Sequence, residues 1–536
     1  MKLAILVAFL AAVAMRIGGP AIADEVDFLL PIQAWVQGGP QPAGLWHTPF
    51  YPWFLSLLGK VFGLTPAVAR SIGVVCMLAT AVLIYRTACL LWPRLDTESD
   101  AWISRAVWAA ALGQPLLYAS ALLLDYDNTL MTLATAYYFY LLVKYALEPA
   151  RSSWKMIAHL GIAMGFCLMG KETTPWCYPI GALVLFGQLA IRRGASNAQA
   201  ALRAAGQSIA VACLGAAVFF GAIGIWCASF GISPFKVFEM AVLGLKVHGG
   251  TSLLESRGVA TFVWVKVFPL FWLGLPVLGL LISGGRKLGK TTALYPVFAV
   301  MAVVFFTYTF LINQMTYQFP KYMLSMLVWL APLGVATVDA PTWSRMQNRV
   351  WLGLSATLGL FGPWVMAPLY YRMPISFLAP AQPVAFVLAV TWFLRKRFPD
   401  AWRMAWVLAS LAFAVSYFHA LIPGNRSPAY WPGEQAMAEA HQALAPYLTG
   451  EYALFSPIKD LAYEFRSAGM THLKLSELPE MMAERCASGA PAVVVSRIRE
   501  AETVLAAEES ISLALKDRPC RFTTNRGQDI VIGVLR

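Results

Sequence analysis

Apolar segments of about 20 residues recur along most of this chain and constrain its fold more than any other feature. A helix of about 20 apolar residues is needed to cross the roughly 30 Å hydrocarbon core of a bilayer. The chain has 536 residues, of which 59% are apolar and 13% are charged, and its mean hydropathy is +0.61. Soluble globular proteins of this length do not reach such values. The sequence therefore predicts a polytopic α-helical membrane protein.

The apolar pattern predicts about thirteen transmembrane helices followed by a more polar tail. The turn-rich stretch from Pro423 to Pro428 separates the two parts. We therefore predict a transmembrane domain over residues 1–424 and a small α/β domain over residues 425–536. The predicted spans are 3–22, 67–92, 103–123, 128–147, 155–170, 175–192, 208–230, 260–283, 293–315, 322–339, 350–371, 377–394 and 404–423.

The net charge of +13 comes from Lys and Arg residues that fall in alternate loops and form no single patch. Such alternation is a topology signal and predicts no nucleic-acid partner. It places the N-terminus in the cytoplasm and the tail on the periplasmic or extracellular side of the inner (plasma) membrane. The first span, with Lys2 and Ala21-Ile22-Ala23, imitates a cleavable secretory signal, but Arg16 and Pro20 interrupt its apolar run.

Short alternating elements fill the predicted tail domain. Cys486 and Cys520 both lie in this exported part. They could form a disulfide there or remain two buried free thiols. The other six cysteines lie in or beside apolar segments without metal-ligand spacing. The predicted helices are 433–448, 478–486 and 499–508, and the predicted strands are 451–456, 490–496, 521–524 and 529–535.

The first external loop, residues 23–66, is longer than a simple connection requires. Within it, residues 49–64 are aromatic and apolar but too short to cross a bilayer. This composition predicts a helix that lies in the membrane interface.

In the predicted topology, acidic residues are concentrated on the external side of the membrane, because each group falls in a connection between helices on that side. Carboxylates close to hydrocarbon are costly, and such residues are by default candidates for a functional site. An acid in a short turn can also be solvated or cap the next helix, as Asp127 could do before Leu130. The external groups are Asp24, Glu25 and Asp27; Asp125 and Asp127; and Lys171 with Glu172.

Several stretches near these acids match a known pattern. Asp24-Glu25 is similar to an acidic pair in a first external loop, and Asp127-Asn128-Thr129-Leu130 is similar to a second-loop Asp before a long helix. The stretch His47-Thr48-Pro49-Phe50-Tyr51-Pro52-Trp53-Phe54 resembles His-Pro-Pro-Leu-Tyr-Tyr-Trp-Leu, and Gly170-Lys171-Glu172-Thr173 is a further match. Together they resemble the GT-C superfamily of polyprenyl-phosphate-sugar-dependent glycosyltransferases, especially protein O-mannosyltransferases and the aminoarabinose transferases of lipid A.

The resemblance implies transfer of a sugar, hexosyl or pentosyl, from a polyprenyl-phosphate carrier to a hydroxyl of a protein, glycolipid or envelope glycan. It implies that Asp24 is the catalytic base, that Glu25 orients Asp24 or the loop, and that Asp127 supports the acceptor or a metal. Thr48 replaces the first Pro of the pair, and His47 stands where some lipid A transferases have Lys, so the acceptor class stays open. The candidate substrate-binding residues are Lys171, Glu172, His47, Asp125, Arg16 and Tyr51.

Several of these residues also have simpler structural explanations. Lys171 could pair with Glu172 or reach toward lipid headgroups, and Arg16 could do the latter as well. His47 could be packing at the interface. The acids offer oxygen ligands suited to Mg, Mn or Zn, but no spacing requires an ion, so no cofactor is assigned.

Two other functions fit a chain of this kind. A multispan transporter or flippase for a lipid-linked envelope precursor would also carry charges within its spans, but these usually lie at the bilayer midplane within internal repeats. A non-catalytic envelope assembly protein could use its tail to bind a partner. The clustering of acids at one surface favours the glycosyltransferase.

Overall fold

The computed structural model contains two compact units, residues 1–17 with 34–418 and residues 18–33 with 419–536. The second unit includes residues 18–33, which the predicted domain boundary at 424 had assigned to the transmembrane part. The residues that the structure describes are 6–7, 10, 13–14, 17–19, 21, 24–36, 50–91, 130–147, 154–170, 198–229, 231, 233–236, 239, 434–497, 509–516, 518–527 and 530–536.

Six helices are described in the first 240 residues. Residues 6, 7, 10, 13 and 14 of the first predicted span are also helical, and a turn follows at residues 17–18. Among the described helices, α3 and α6 each contain a segment long and apolar enough to cross a membrane, over Pro66–Thr87 and Ala205–Ser229. The helices are α1 (Asp24–Val36), α2 (Phe50–Phe62), α3 (Pro66–Leu91), α4 (Leu130–Leu147), α5 (Trp154–Gly170) and α6 (Ala198–Ser229).

Four predicted spans can be compared with these helices. The spans 67–92, 128–147 and 155–170 coincide closely with α3, α4 and α5. The span at 208–230 corresponds to α6, which begins earlier, at Ala198. The spans at 103–123, 175–192 and from 260 onward lie outside the described residues, so the total of thirteen stays a prediction.

The stretch that was predicted to be an external loop contains two helices. The helix predicted at 49–64 is confirmed as α2. Helix α1 was not predicted, because three acids and Pro31 are typical of a loop. Its buried residues Val26, Leu29 and Ile32 recur every three positions, which is the spacing of one helical face.

Helices α5 and α6 pack closely through glycine. A Cβ atom on Gly161 would lie 2.8 Å from the Leu214 side chain, and one on Gly165 would lie 2.7 Å from the Val218 side chain. The contacts advance along both helices in the same direction, so the two helices are parallel. The predicted span at 175–192 connects them in the sequence and lies outside the described residues. Small residues that let backbones approach are common between membrane helices.

The tail contains a five-stranded sheet with the order β2-β1-β3-β5-β4. Strands β1, β2 and β3 are parallel, and β5 is antiparallel to both β3 and β4. The elements are α7 (Glu434–Leu444), β1 (Ala453–Ser456), α8 (Lys459–Glu464), β2 (Thr471–His472), α9 (Leu478–Ala487), β3 (Ala492–Arg497), β4 (Phe522–Arg526) and β5 (Ile530–Leu535).

Each face of the sheet is covered by helices. On one face, α7 and α8 pack against Val493 and Val495 of β3. On the other, α9 and the helical residues 509–514 pack against Ala492 and Val494. Alternate residues of one strand therefore fill two separate cores, which is the packing expected for a buried α/β sheet.

Most of the predicted tail elements are confirmed. The helices at 433–448 and 478–486 and the four strands lie within a few residues of α7, α9, β1, β3, β4 and β5. The helix predicted at 499–508 lies outside the described residues. The open question about the cysteines is resolved, because Cys486 and Cys520 form a disulfide.

Candidate functional site

Helix α1 begins at Asp24, so the acidic pair occupies its first turn. Negative charge is stabilised there because the unpaired backbone N–H groups carry partial positive charge. The Glu25 side chain is buried, with 1% of its surface exposed. A carboxylate removed from water in this way must be held by polar partners. The backbone of Asp24 is described, but its side chain lies outside the described part.

Tyr51 is equally buried, with 1% exposed, in the first turn of α2. Its helix has two distinct faces. Tyr51, Leu55 and Gly59 face the protein, whereas Trp53 and Phe62 are exposed. An exposed apolar face of this kind supports the prediction that α2 lies in the membrane interface.

A cluster of aromatic and apolar side chains joins the ends of four helices. Trp35, at the end of α1, packs against Trp226 of α6 with ring centroids 6.2 Å apart. Met169, near the end of α5, belongs to the same buried group, and Phe50, the first residue of α2, packs against it. We call these residues, with Phe219, Ile223 and Cys227, the Trp35 cluster.

The Trp35 cluster brings together chain segments that carry predicted site residues. Met169 lies two positions before Lys171 in the sequence, and Phe50 stands between His47 and Tyr51. Gly59 of α2 is also close to α1, since a Cβ atom on it would lie 2.9 Å from Val36 Cγ2. The end of α1, helix α2 and the end of α5 are thus packed as one group.

Of the nine predicted site residues, the structure describes the side chains of Glu25 and Tyr51, and both are buried. The remaining positions lie outside the described residues, and their roles stay predictions. These are Arg16, Asp24 (side chain), His47, Asp125, Asp127, Lys171 and Glu172.

Arg70 is a residue that the sequence analysis missed. It lies in the second turn of α3 with 1% of its surface exposed, and its Nη1 donates a hydrogen bond to the Ile17 carbonyl oxygen at 3.1 Å. Ile17 precedes Asp24 by seven positions in the sequence. A charge inside an apolar span is a functional candidate by default, and that signal was applied to Arg16 but not to Arg70.

Helix α4 also carries buried polar side chains near its beginning. Thr132 and Thr135 have 1% and 0% of their surfaces exposed. They follow Asp127 in the sequence and lie in the helix that packs between α3 and α5. Hydroxyl groups inside a helix bundle provide hydrogen bonds without the cost of a buried charge.

No group of three or more His, Cys, Asp or Glu side chains that could hold a metal ion occurs within the described ranges. The acids proposed as oxygen ligands are mostly outside those ranges. Metal dependence therefore stays an open expectation.

Comparison with known proteins gives one family match. Residues 46–215 match the family of dolichyl-phosphate-mannose-protein mannosyltransferases, a region that includes α2 to α5 and the first part of α6. The match covers less than half of the chain. No curated protein sequence matches this chain significantly.

Solved structures match over nearly the whole chain. The crystal structure of ArnT from Cupriavidus metallidurans bound to undecaprenyl phosphate has a TM-score of 0.62 at 14% identity, with 99% of this chain and 97% of that chain covered. The apo structure of the same protein gives 0.58 at 15% identity with the same coverage. This chain has a membrane GT-C fold. The resemblance to the GT-C superfamily of polyprenyl-phosphate-sugar-dependent glycosyltransferases is confirmed.

Arabinosyltransferase EmbB from Mycobacterium smegmatis is more distant. It shares 15% identity, and the similar regions cover 87% of this chain and 42% of EmbB at a TM-score of 0.47. A score this low adds nothing to the fold that ArnT shows. The GT-C fold also makes this chain a multi-pass membrane protein.

Proposed function

We propose that this GT-C protein transfers a sugar from a polyprenyl-phosphate carrier to a hydroxyl group on the outer face of the inner membrane. The observation that carries the proposal is the fold shared with ArnT bound to undecaprenyl phosphate over 99% of the chain. The family match at residues 46–215 supports the same activity, because the residues around Tyr51 and Lys171 fall within it.

The reaction needs a base for the acceptor and positive charge for the leaving phosphate. In the proposed step, the acceptor hydroxyl oxygen attacks the anomeric carbon while its proton passes to the Asp24 carboxylate. The bond between the anomeric carbon and the phosphate oxygen breaks, and polyprenyl phosphate leaves with the bonding electrons. Attack opposite the leaving group inverts the anomeric centre.

Buried Glu25 fits an orienting role, because it is fixed beside Asp24 in the first turn of a regular helix. A side chain held by packing positions its neighbour more accurately than one in a mobile loop. Asp127 would hold the acceptor, with Asp125 as its competitor, while Glu172 would orient Lys171.

Lys171 is proposed to contact the phosphate, since an ammonium group is a compact charge for phosphate oxygens. Arg16 and His47 would add donors nearby, and Tyr51 would line the donor site. Arg70 is proposed as a positioning residue. Its hydrogen bond to Ile17 fixes the turn that leads from the first span toward α1.

The decisive experiment is Asp24→Asn, with Asp27→Asn as the matched control in the same helix turn. Membranes carrying each variant are mixed with a labelled polyprenyl-phosphate sugar and candidate acceptors. We expect Asp24→Asn to lose incorporation by about a hundredfold or more, the usual contribution of a general base. Unchanged incorporation at normal protein abundance would favour an assembly protein, and altered lipid movement would favour a flippase.

The outer-face assignment can be tested separately. Single cysteines at positions 24, 127 and 172 should each react with a membrane-impermeant thiol reagent applied to the periplasmic side. Cysteine at position 397, in a predicted cytoplasmic loop, is the control and should be protected until the membrane is opened. One protected site among the first three would contradict a shared external site.

A further inference from the structure

Helix α1 is divided between the two compact units of the chain. Residues 24–33 of this helix belong to the same unit as the tail, whereas residues 34–36 belong to the helical unit. Ile17, which precedes the helix, also belongs to the helical unit. The chain therefore leaves the helical unit after residue 17, contributes residues 18–33 to the tail unit, and returns at residue 34.

Both ends of the segment 18–33 are attached to the helical unit. Ile17, just before it, accepts a hydrogen bond from Arg70 Nη1 at 3.1 Å. Trp35, just after it, packs against Trp226 with ring centroids 6.2 Å apart. Asp24 is several residues away from either contact. The placement of the acidic first turn of α1 therefore depends on what holds the middle of the segment.

Helix α1 would be a poor helix in isolation. It has 13 residues, and isolated helices of this length are marginal in water. Pro31, within the helix, has no backbone N–H and so removes one of the hydrogen bonds between turns. The helix must therefore draw its stability from packing against other parts of the protein.

The packing of α1 is concentrated in the part that belongs to the tail unit. Val26, Leu29 and Ile32 each have 0% of their surfaces exposed, and Glu25 has 1%. All four positions lie within residues 18–33. Burial of an apolar face is the main source of stability for such a helix. Residues 24–33 are therefore stable only while the unit that buries them is folded.

We propose that residues 24–33 of α1 fold and unfold together with the tail sheet, and that the tail thereby controls the placement of Asp24 and the rate of sugar transfer. The tail is then a regulatory part of the enzyme, because any event that loosens it also releases the base. The statement about Asp24 rests on the proposed sugar transfer. The statement that α1 and the tail form one cooperative unit does not.

A matched pair of buried leucines tests the cooperative unit. Leu29 of α1 and Leu55 of α2 have 0% and 1% of their surfaces exposed. Coupling between two parts of a protein is reciprocal, so Leu29→Ala should speed hydrogen exchange in β3 and β5 by about tenfold or more in the full-length protein. Leu55→Ala, in the helical unit, should leave exchange in these strands unchanged. No change in Leu29→Ala, or an equal effect of Leu55→Ala, would overturn the proposal.

The reverse test loosens the tail and leaves α1 intact. In Cys486→Ala/Cys520→Ala, exchange of residues 24–33 should rise with that of β3 and β5 by about tenfold or more, because loss of the disulfide destabilises the tail. Gly165→Ala, which crowds α5 against α6, is the control and should leave exchange of residues 24–33 unchanged. If residues 24–33 stay protected while β3 exchanges faster, the proposal fails.

Sugar transfer tests the role of the tail in catalysis. Incorporation from a labelled polyprenyl-phosphate sugar should be lost at a lower urea concentration in Cys486→Ala/Cys520→Ala than in the wild type. In both proteins this loss should coincide with the loss of protection at residues 24–33. Incorporation that survives the loss of protection would show that the tail does not place the base. If neither protein incorporates sugar while α1 and the tail still exchange together, the sugar-transfer proposal fails and the cooperative unit stands.

Discussion

Both units bury apolar side chains, but among the described residues most of the exposed large apolar side chains lie in the helical unit and few lie in the tail. On α6, Leu202 and Ile225 are exposed by 75% and 76%, whereas Val493 in β3 is fully buried. Buried polar residues occur in both units, among them Arg70 and Thr135 in the helical unit and Ser456 and Asp460 in the tail. Burial of apolar surface stabilises a fold only when the surrounding solvent is water. Exposed apolar side chains on a long helix are expected where hydrocarbon is the surrounding solvent, in agreement with the membrane GT-C fold.

The largest expected difference between the two regions concerns reduction. The disulfide Cys486–Cys520 closes a loop with a sequence separation of 34, and such a link stabilises a domain by about 4 kcal/mol. Reductant, or the double variant Cys486→Ala/Cys520→Ala, should therefore lower the melting temperature of the tail strongly. Hydrogen exchange of α9 and β4 measures this locally.

The helical unit provides the control for that experiment. Its cysteines Cys76 and Cys167 are buried and are not part of a disulfide. Reductant should leave exchange in α3 and α5 unchanged. Equal loss of protection in both regions would mean that the tail disulfide does not act locally.

Removal of a buried charge tests the polar interior of the helical unit. Arg70→Gln should destabilise this unit by about 3 kcal/mol, because the variant loses a charged hydrogen bond to Ile17 and leaves buried groups unpaired. Thermal unfolding in detergent gives the measurement. Arg203→Gln, at an exposed position of α6, should change stability by less than about 0.5 kcal/mol. Equal effects of the two variants would contradict a structural role for Arg70.

The same substitution in both regions tests the comparison most directly. Val493→Ala should cost the tail about 2 kcal/mol, since the side chain is fully buried among apolar neighbours. Val75→Ala, at a position of α3 that is 64% exposed, should cost the helical unit almost nothing in lipid. Urea unfolding of the tail and thermal unfolding in nanodiscs would measure the two effects. A large effect at Val75 would indicate a protein partner at that surface.

The smallest expected effect concerns helix packing. Gly165→Ala should destabilise the contact of α5 with α6 by about 1–2 kcal/mol, because the added Cβ would lie 2.7 Å from Val218. Gly221→Ala is the matched control on α6, where a Cβ atom meets nothing within 4 Å. The two variants should differ in melting temperature in detergent. If Gly221→Ala is equally harmful, packing at Gly165 is not the cause.

Much of this fold could be predicted from sequence, because the spacing of apolar residues indicates which side chains face water and which face lipid or the protein interior. Helices α3 to α5 were visible as continuous apolar runs, and β1, β3 and β5 as short apolar runs between turn residues. Two elements of the tail were missed. Helix α8 has six residues and β2 has two, which is too short for a period to be recognised.

Less of the candidate site than of the fold could be predicted from the sequence. The acidic start of α1 was recognised as important, but the helix itself was not, because its polar first turn hides the apolar positions that follow. Arg70 was overlooked because a single charge in a long apolar segment hardly changes the apolar pattern.

The two faces of α2 limit where a ligand of Tyr51 can lie. Tyr51 and Trp53 lie in the same turn and project from opposite sides of one helix, whose full diameter is about 10 Å. If Trp53 rests among lipid headgroups, Tyr51 lies within about 10 Å of that depth in the membrane. A sugar attached to a lipid carrier could then reach Tyr51 while its chain remains dissolved in the bilayer, so the carrier need not be lifted out of the membrane for reaction.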